Sequence, residues 1–169
     1  MKYFSLYSLF FAWLLLSCNR GVYVTIDNTK YNYGKNTVVR LLRQEGTPIG
    51  YGFDIRTFKK SDSDSSFFSL AAGRANIPII AGDYSFTNIN TTSSSTSSIS
   101  FYDNNRNRYV SGGDEIYGPT FIITSLAKKR AKGYFKSKLV DIKADTVKPS
   151  NTITVEGRFN VSLKNALHQ

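Results

Sequence analysis

Cysteine and histidine are almost absent from this chain, and most metal and covalent chemistry is excluded with them. Among 169 residues there is one cysteine, which excludes an internal disulfide, and one histidine, His168, which excludes a zinc site of the Cys/His type. No Gly-x-Ser-x-Gly elbow is present and His168 lies in the terminal tail, so a nucleophilic serine would lack a visible base. The acidic fragments Asp62-Ser63-Asp64 and Gly112-Gly113-Asp114-Glu115 each supply too few oxygens for a calcium loop. We therefore expect no catalytic residue, no metal, no cofactor and no enzymatic activity.

Acidic residues are also scarce relative to basic ones. The chain has 12 Asp and Glu residues and 22 Lys and Arg residues, which gives a formal charge of +10. Apolar residues make up 41% of the chain and aromatic residues 14%, a composition typical of a packed core rather than of disorder. The length of 169 residues suits one domain better than two. The composition therefore predicts a single folded, basic domain.

Long apolar runs are missing except at the start, where residues 3–16 carry no charge. A transmembrane helix needs about 20 apolar residues, whereas a signal-peptide core has the shorter length seen here. The run ends in Leu15-Leu16-Ser17-Cys18, which resembles the bacterial lipobox, where a small residue precedes a cysteine that is acylated before cleavage. The alternative is an ordinary buried cysteine beside a differently cleaved signal.

The lipobox resemblance implies an order of segments and a location. The segments are a lipoprotein signal peptide over residues 1–17, an acylated Cys18 with a short tether over 18–21, one all-β domain over 22–164 and a tail over 165–169. Several acyl chains on Cys18, palmitate among them, would attach the mature protein to the membrane permanently. Asn19 is unlike the aspartate of inner-membrane retention signals, and no acid-rich stretch follows Cys18. The resemblance therefore implies the bacterial cell envelope, with the outer membrane and its periplasmic face favoured.

Alternation of apolar and polar residues dominates the rest of the chain. Residues 152–163 show it most regularly, with Ile153, Val155 and Phe159 on one face and Glu156 and Arg158 on the other. Including this segment, nine strands are predicted, over residues 22–26, 37–43, 49–55, 76–80, 84–89, 99–102, 120–127, 133–142 and 152–163. The pattern predicts an all-β fold, an antiparallel β-sandwich or open barrel of about nine strands.

Two kinds of segment break the strand pattern. Residues 66–73, rich in Phe, Leu and Ala and closed by Gly73, predict one short helix. The polar stretches 59–66 and 91–100 are interpreted as loops, with Ser97–Ser100 as a potential start of the strand that continues into Phe101.

The last third of the chain carries two short Gly-x-Phe units, Gly133-Tyr134-Phe135 and Gly157-Arg158-Phe159. Strands that contain such units resemble the C-terminal part of small, functionally uncharacterised all-β lipoproteins of Bacteroidota. The resemblance covers about a third of the chain and carries over no catalytic residue. Asp145-Thr146-Val147 is similar to the three-residue O-glycosylation site of some exported Bacteroidota proteins, which implies a glycan on Thr146.

The densest charge lies between residues 128 and 138, where six cations occur with no acid: Lys128, Lys129, Arg130, Lys132, Lys136 and Lys138. Such a segment suits an anionic glycan or lipid headgroup. The alternative is a solvated turn whose cations protect a sheet edge from aggregation. Nucleic acid is not an expected partner, because export separates the chain from it.

Two functional hypotheses follow from the sequence. The first is a membrane-anchored, non-enzymatic accessory module that docks on an envelope protein, and it is based on the short tether and the absence of catalytic motifs. The second is a binding module for anionic glycans or lipid headgroups, and it is based on the basic segment 128–138.

Overall fold

The computed structural model describes residues 20–34, 36–58, 66–86, 95–105, 107–112, 116–142, 151–163 and 167–168. Cys18 and Thr146 lie outside these residues. In chain order the strands are β1 Gly21–Ile26, β2 Thr29–Asn32, β3 Thr37–Gln44, β4 Gly50–Phe58, β5 Phe67–Ala75, β6 Gly82–Asp83, β7 Ser95–Tyr102, β8 Arg108–Ser111, β9 Thr120–Ala127, β10 Arg130–Asp141, β11 Thr152–Ser162 and β12 Leu167–His168.

The strands form one sheet, which confirms the all-β prediction. The hydrogen-bonded order is β12-β3-β4-β5-β7-β8-β10-β11-β1-β2, and β9 with its partner β6 lies beside the first half of β10. All pairs are antiparallel except β12 with β3. The sheet curls into a half-barrel, as an open barrel does.

Aromatic side chains close the core between the two limbs of the curled sheet. The rings of Phe53 on β4 and Phe159 on β11 lie 5.9 Å apart, and those of Phe68 on β5 and Phe135 on β10 lie 5.3 Å apart. All four side chains are buried. Strands far apart in the sheet order therefore share one apolar core.

The Gly-x-Phe units have a physical explanation in the β10–β11 register. Gly133 lies opposite Phe159, and Gly157 lies opposite Phe135. A Cβ atom on Gly133 would meet the Phe159 ring and the Ile122 carbonyl, and one on Gly157 would meet the Phe135 ring and the Tyr23 carbonyl, all closer than 3.0 Å. Each glycine therefore leaves the space that the ring from the opposite strand fills.

The helix predicted over 66–73 is wrong, because residues 67–73 belong to strand β5. Phe68, Leu70 and Ala72 are buried in alternation, and the strand pairs with β4 on one side and β7 on the other. A run of Phe, Leu and Ala fits the spacing of a helix as well as the alternation of a strand. Hydrogen-bonded strands on both edges favour the strand here. The serine-rich partner β7 begins at Ser95, so the part of the predicted loop 91–100 from Ser95 onward is strand.

The predicted strand over 76–80 is also wrong. Asn76 has a positive φ of 61°, and no residue from 76 to 80 has a strand partner. The segment 84–86 is irregular, although its backbone donates to β9, with Tyr84 N 2.8 Å from Phe121 O. Residues 87–90 lie outside the described part of the chain. Within that part, no helix is both long and apolar enough to cross a bilayer.

The two ends of the sheet differ in charge. We call the end where β1 starts the Gly21 end, and the end where β1 finishes the Asp27 end. At the Asp27 end, the Tyr109 phenol is 7% exposed, and Asn151 Nδ2 donates to its oxygen at 3.3 Å. Burial raises the pKa of Tyr109 above 10.0, and the carboxylates of Asp103, Asp141 and Asp27 raise this pKa further.

The raised pKa predicts that Tyr109 contributes to alkaline unfolding. The neutral phenol is favoured in the folded state, so its contribution to the free energy of unfolding is complete below pH 10.0 and is lost as the pH rises toward the folded-state pKa. In urea unfolding at a series of alkaline pH values, Tyr109→Phe should lose stability less steeply than the wild type above that pH. Parallel losses in the two proteins would contradict this assignment.

Candidate functional site

The structure places the six cations of residues 128–138 on strand β10 and the turn that precedes it. Lys128 and Lys129 form the turn between β9 and β10, which we call the basic tip together with Arg130. From Arg130 onward the strand alternates, and Ala131, Gly133, Phe135, Ser137 and Leu139 are buried. The basic side chains at even positions therefore share the outer face of the sheet. From Arg130 to Lys138 they span about 26 Å at roughly 3.3 Å per residue.

Strand register adds residues from β11, β1 and β2 to this outer face. One row across the strands consists of Tyr134, Arg158, Tyr23 and Asn32. The next row consists of Lys136, Glu156, Thr25 and Lys30. We call these two rows, with Lys132 and Lys138 beside them on β10, the basic face.

Aromatic rings and cations alternate on the basic face. The Tyr134 side chain is 48% exposed, and Arg158 Cζ lies 5.3 Å from the centre of the Tyr23 ring. A shallow groove of about 780 Å³ runs over both rows and reaches Thr120 on β9. Its walls therefore offer flat rings and positive charge side by side.

The electrostatics of the basic face favour an anion. The basic face carries one acid, Glu156, and five cations, which are Lys30, Lys132, Lys136, Lys138 and Arg158. Glu156 lies opposite Lys136 in the register, yet within the described part of the chain no carboxylate forms an ion pair with any of the five. Exposed ammonium and guanidinium groups with no carboxylate partner attract phosphate or carboxylate with little competition.

A second groove, of about 830 Å³, lies on the outer face of β4, β5, β7 and β8. Rings line one end of it, with Phe67 5.3 Å from Phe58 and 5.4 Å from Tyr102. Near its middle the Asp54 side chain is 7% exposed and accepts a 2.8 Å hydrogen bond from Arg56 Nε. We call this the aromatic–aspartate groove, and nothing in the sequence pattern predicted it.

The described residues hold no group of three or more His, Cys, Asp or Glu side chains that could bind a metal. Comparison with protein families, with curated proteins and with solved structures gives no match for this chain.

Proposed function

We propose that this chain is a lipid-anchored, non-enzymatic module of the bacterial cell envelope that binds an anionic glycan on its basic face. The observation that carries the proposal is the pair of cross-strand rows in which Tyr134 and Tyr23 flank Arg158 next to Lys136. The anchor is proposed from the lipobox resemblance of Leu15-Leu16-Ser17-Cys18.

A glycan suits the basic face better than a small anion does. A small anion would engage one or two cations, whereas the groove covers four residues of each row. The exposed Tyr134 ring offers a flat apolar surface to a sugar ring. The neighbouring Arg158 and Lys136 pair with phosphate or carboxylate substituents of the same chain of sugars.

Charge reversal on the basic face should weaken this binding strongly. We expect Lys136→Glu with Arg158→Glu to weaken binding of oligogalacturonate by about 100-fold, because each cation contributes roughly 1.5 kcal/mol or more to a charged contact. Titration calorimetry measures the loss, with the methyl ester of the same oligosaccharide as the uncharged ligand. Wild-type affinity should fall steeply with salt, since the Debye length shrinks from about 10 Å at 0.1 M to about 3 Å at 1 M.

The matched control is Lys128→Glu with Lys129→Glu, which changes the net charge equally on the basic tip. This variant should keep most of the affinity. Equal losses in both variants would mean that total charge rather than the basic face attracts the ligand. Equal binding of the acid and its methyl ester would contradict the proposal.

A second candidate function, docking on an envelope protein, is favoured by the aromatic–aspartate groove. Phe58 at its end is 45% exposed, and Val38 in the next strand is 37% exposed. Docking through such apolar side chains would resist high salt, unlike binding on the basic face.

A further inference from the structure

The basic tip and the start of the domain lie at the same end of the sheet. Gly21 at the start of β1 pairs with Asn160 of β11, and Asn160 pairs with Lys132 of β10. Neighbouring strands are about 4.8 Å apart, so the backbones of Gly21 and Lys132 are roughly 10 Å apart across the sheet. Both β1 and β10 are antiparallel to β11, so they run in the same direction.

The basic tip projects as far from the sheet as the tether reaches. Three residue steps separate Gly21 from Cys18, and they span at most about 10 Å. Going back from Lys132, two steps lie in β10 and the third reaches Lys129 in the turn, so the three steps span at most about 10 Å in the same direction. Acyl chains on Cys18 would therefore bring the basic tip to the level of the lipid headgroups.

Apolar side chains accompany the cations at the Gly21 end. The segment that precedes β6 runs along β9 toward the basic tip. Its residues Pro78 and Ile79, together with Leu126 and Leu163, line an apolar groove of about 850 Å³. In the same segment Ile77 is 44% exposed and Ile80 is 52% exposed. Exposed isoleucines beside lysines are typical of surfaces that rest on a bilayer.

The charge of the Gly21 end complements an anionic membrane. The described cations there are Arg20, Arg43, Arg74, Lys128, Lys129 and Arg130, against one described acid, Glu45. The Asp27 end carries charges of both signs, since it holds Asp27, Asp103 and Asp141 together with Arg108. An anionic surface therefore attracts the Gly21 end over the opposite end.

We infer that the Gly21 end docks on the anionic headgroups of the same bilayer that carries the anchor, with the basic tip on the phosphates and Ile77 and Ile80 at the interface. The inference rests on the lipid anchor of the proposed function. In the docked domain the strands are directed away from the membrane surface. The basic face therefore lies on the side of the domain and stays open to a glycan. The tether alone would leave the domain free to tumble.

Lysine acetylation of the full-length lipidated protein on vesicles tests this orientation. One set of vesicles is phosphatidylcholine alone, and the other contains phosphatidylglycerol as well. Three tip cations at roughly 1 kcal/mol each enlarge the docked population on the order of 100-fold. We expect Lys128 and Lys129 to react much more slowly on anionic than on neutral vesicles, and Lys136 and Lys138 to react equally on both.

A matched pair of variants separates docking from the proposed function. Ile77→Ser with Arg130→Glu should restore rapid acetylation of Lys128 and Lys129 while leaving oligogalacturonate binding intact. The Lys136→Glu, Arg158→Glu variant should lose oligogalacturonate binding, while Lys128 and Lys129 stay protected from acetylation on anionic vesicles. Equal reactivity of Lys128 on the two kinds of vesicle, or protection of all four lysines alike, would overturn the inference. A protein that fails to stay with either kind of vesicle would instead refute the anchor.

Discussion

Gly157→Ala should lower the free energy of unfolding by about 3 kcal/mol, because overpacking a filled site costs roughly this much. The added methyl group would meet the backbone carbonyl oxygen of Tyr23 and the ring of Phe135 at less than 3.0 Å. A carbonyl held in the β1–β11 pair is unable to yield without breaking strand pairing. For a domain of this size the loss corresponds to a fall in melting temperature of roughly 6–12 °C, measurable by calorimetry.

Gly46→Ala serves as the matched control for this substitution. Its added methyl group would lie 3.6 Å from the nearest atom, an ordinary contact, in an exposed loop. We expect a change within about 0.5 kcal/mol, as for other surface positions. If Gly157→Ala and Gly46→Ala had the same melting temperature, the pairing of glycines and rings between β10 and β11 would not contribute to the stability of the fold.

Cys18→Ala should abolish membrane attachment of the protein. The proposed acyl chains have no other attachment point, since Cys18 is the only cysteine of the chain. Fractionation of cells and labelling with a fatty acid measure the effect, and we expect nearly all of the variant in the soluble fraction without label. Ser17→Ala, which keeps a small residue before the cysteine, should remain acylated. A Cys18→Ala protein that still sediments with membranes and carries label would refute the anchor.

Alternation in the sequence predicted most of the long strands because each has one buried and one solvated face. In β11 the buried residues Ile153, Val155 and Phe159 are the ones that the pattern assigned to the core. The same reasoning failed for β5, where the residues between the buried ones are a ring, a hydroxyl and a methyl side chain rather than a polar series. Phe67, Ser69 and Ala71 face the aromatic–aspartate groove, so that face lacks the polar pattern of a solvated strand.

The candidate site was only partly predictable, because a site on a sheet depends on which strands are neighbours. The six cations of residues 128–138 were visible as a local cluster, and alternation predicted that Glu156 and Arg158 share the outer side of β11. Nothing local indicates that Tyr23 of β1 lies opposite Arg158, more than a hundred residues later in the chain. Long-range pairing therefore decides the composition of the basic face, and local patterns do not report it.

Capture of the full-length lipidated protein from its native membrane, at low and at high salt, tests the central claim most directly. We expect anionic glycan to accompany the wild-type protein at low salt, to dissociate at high salt and to be missing from the Lys136→Glu, Arg158→Glu variant. A stoichiometric protein partner that survives high salt, with no glycan in any sample, would contradict binding on the basic face and favour docking through the aromatic–aspartate groove.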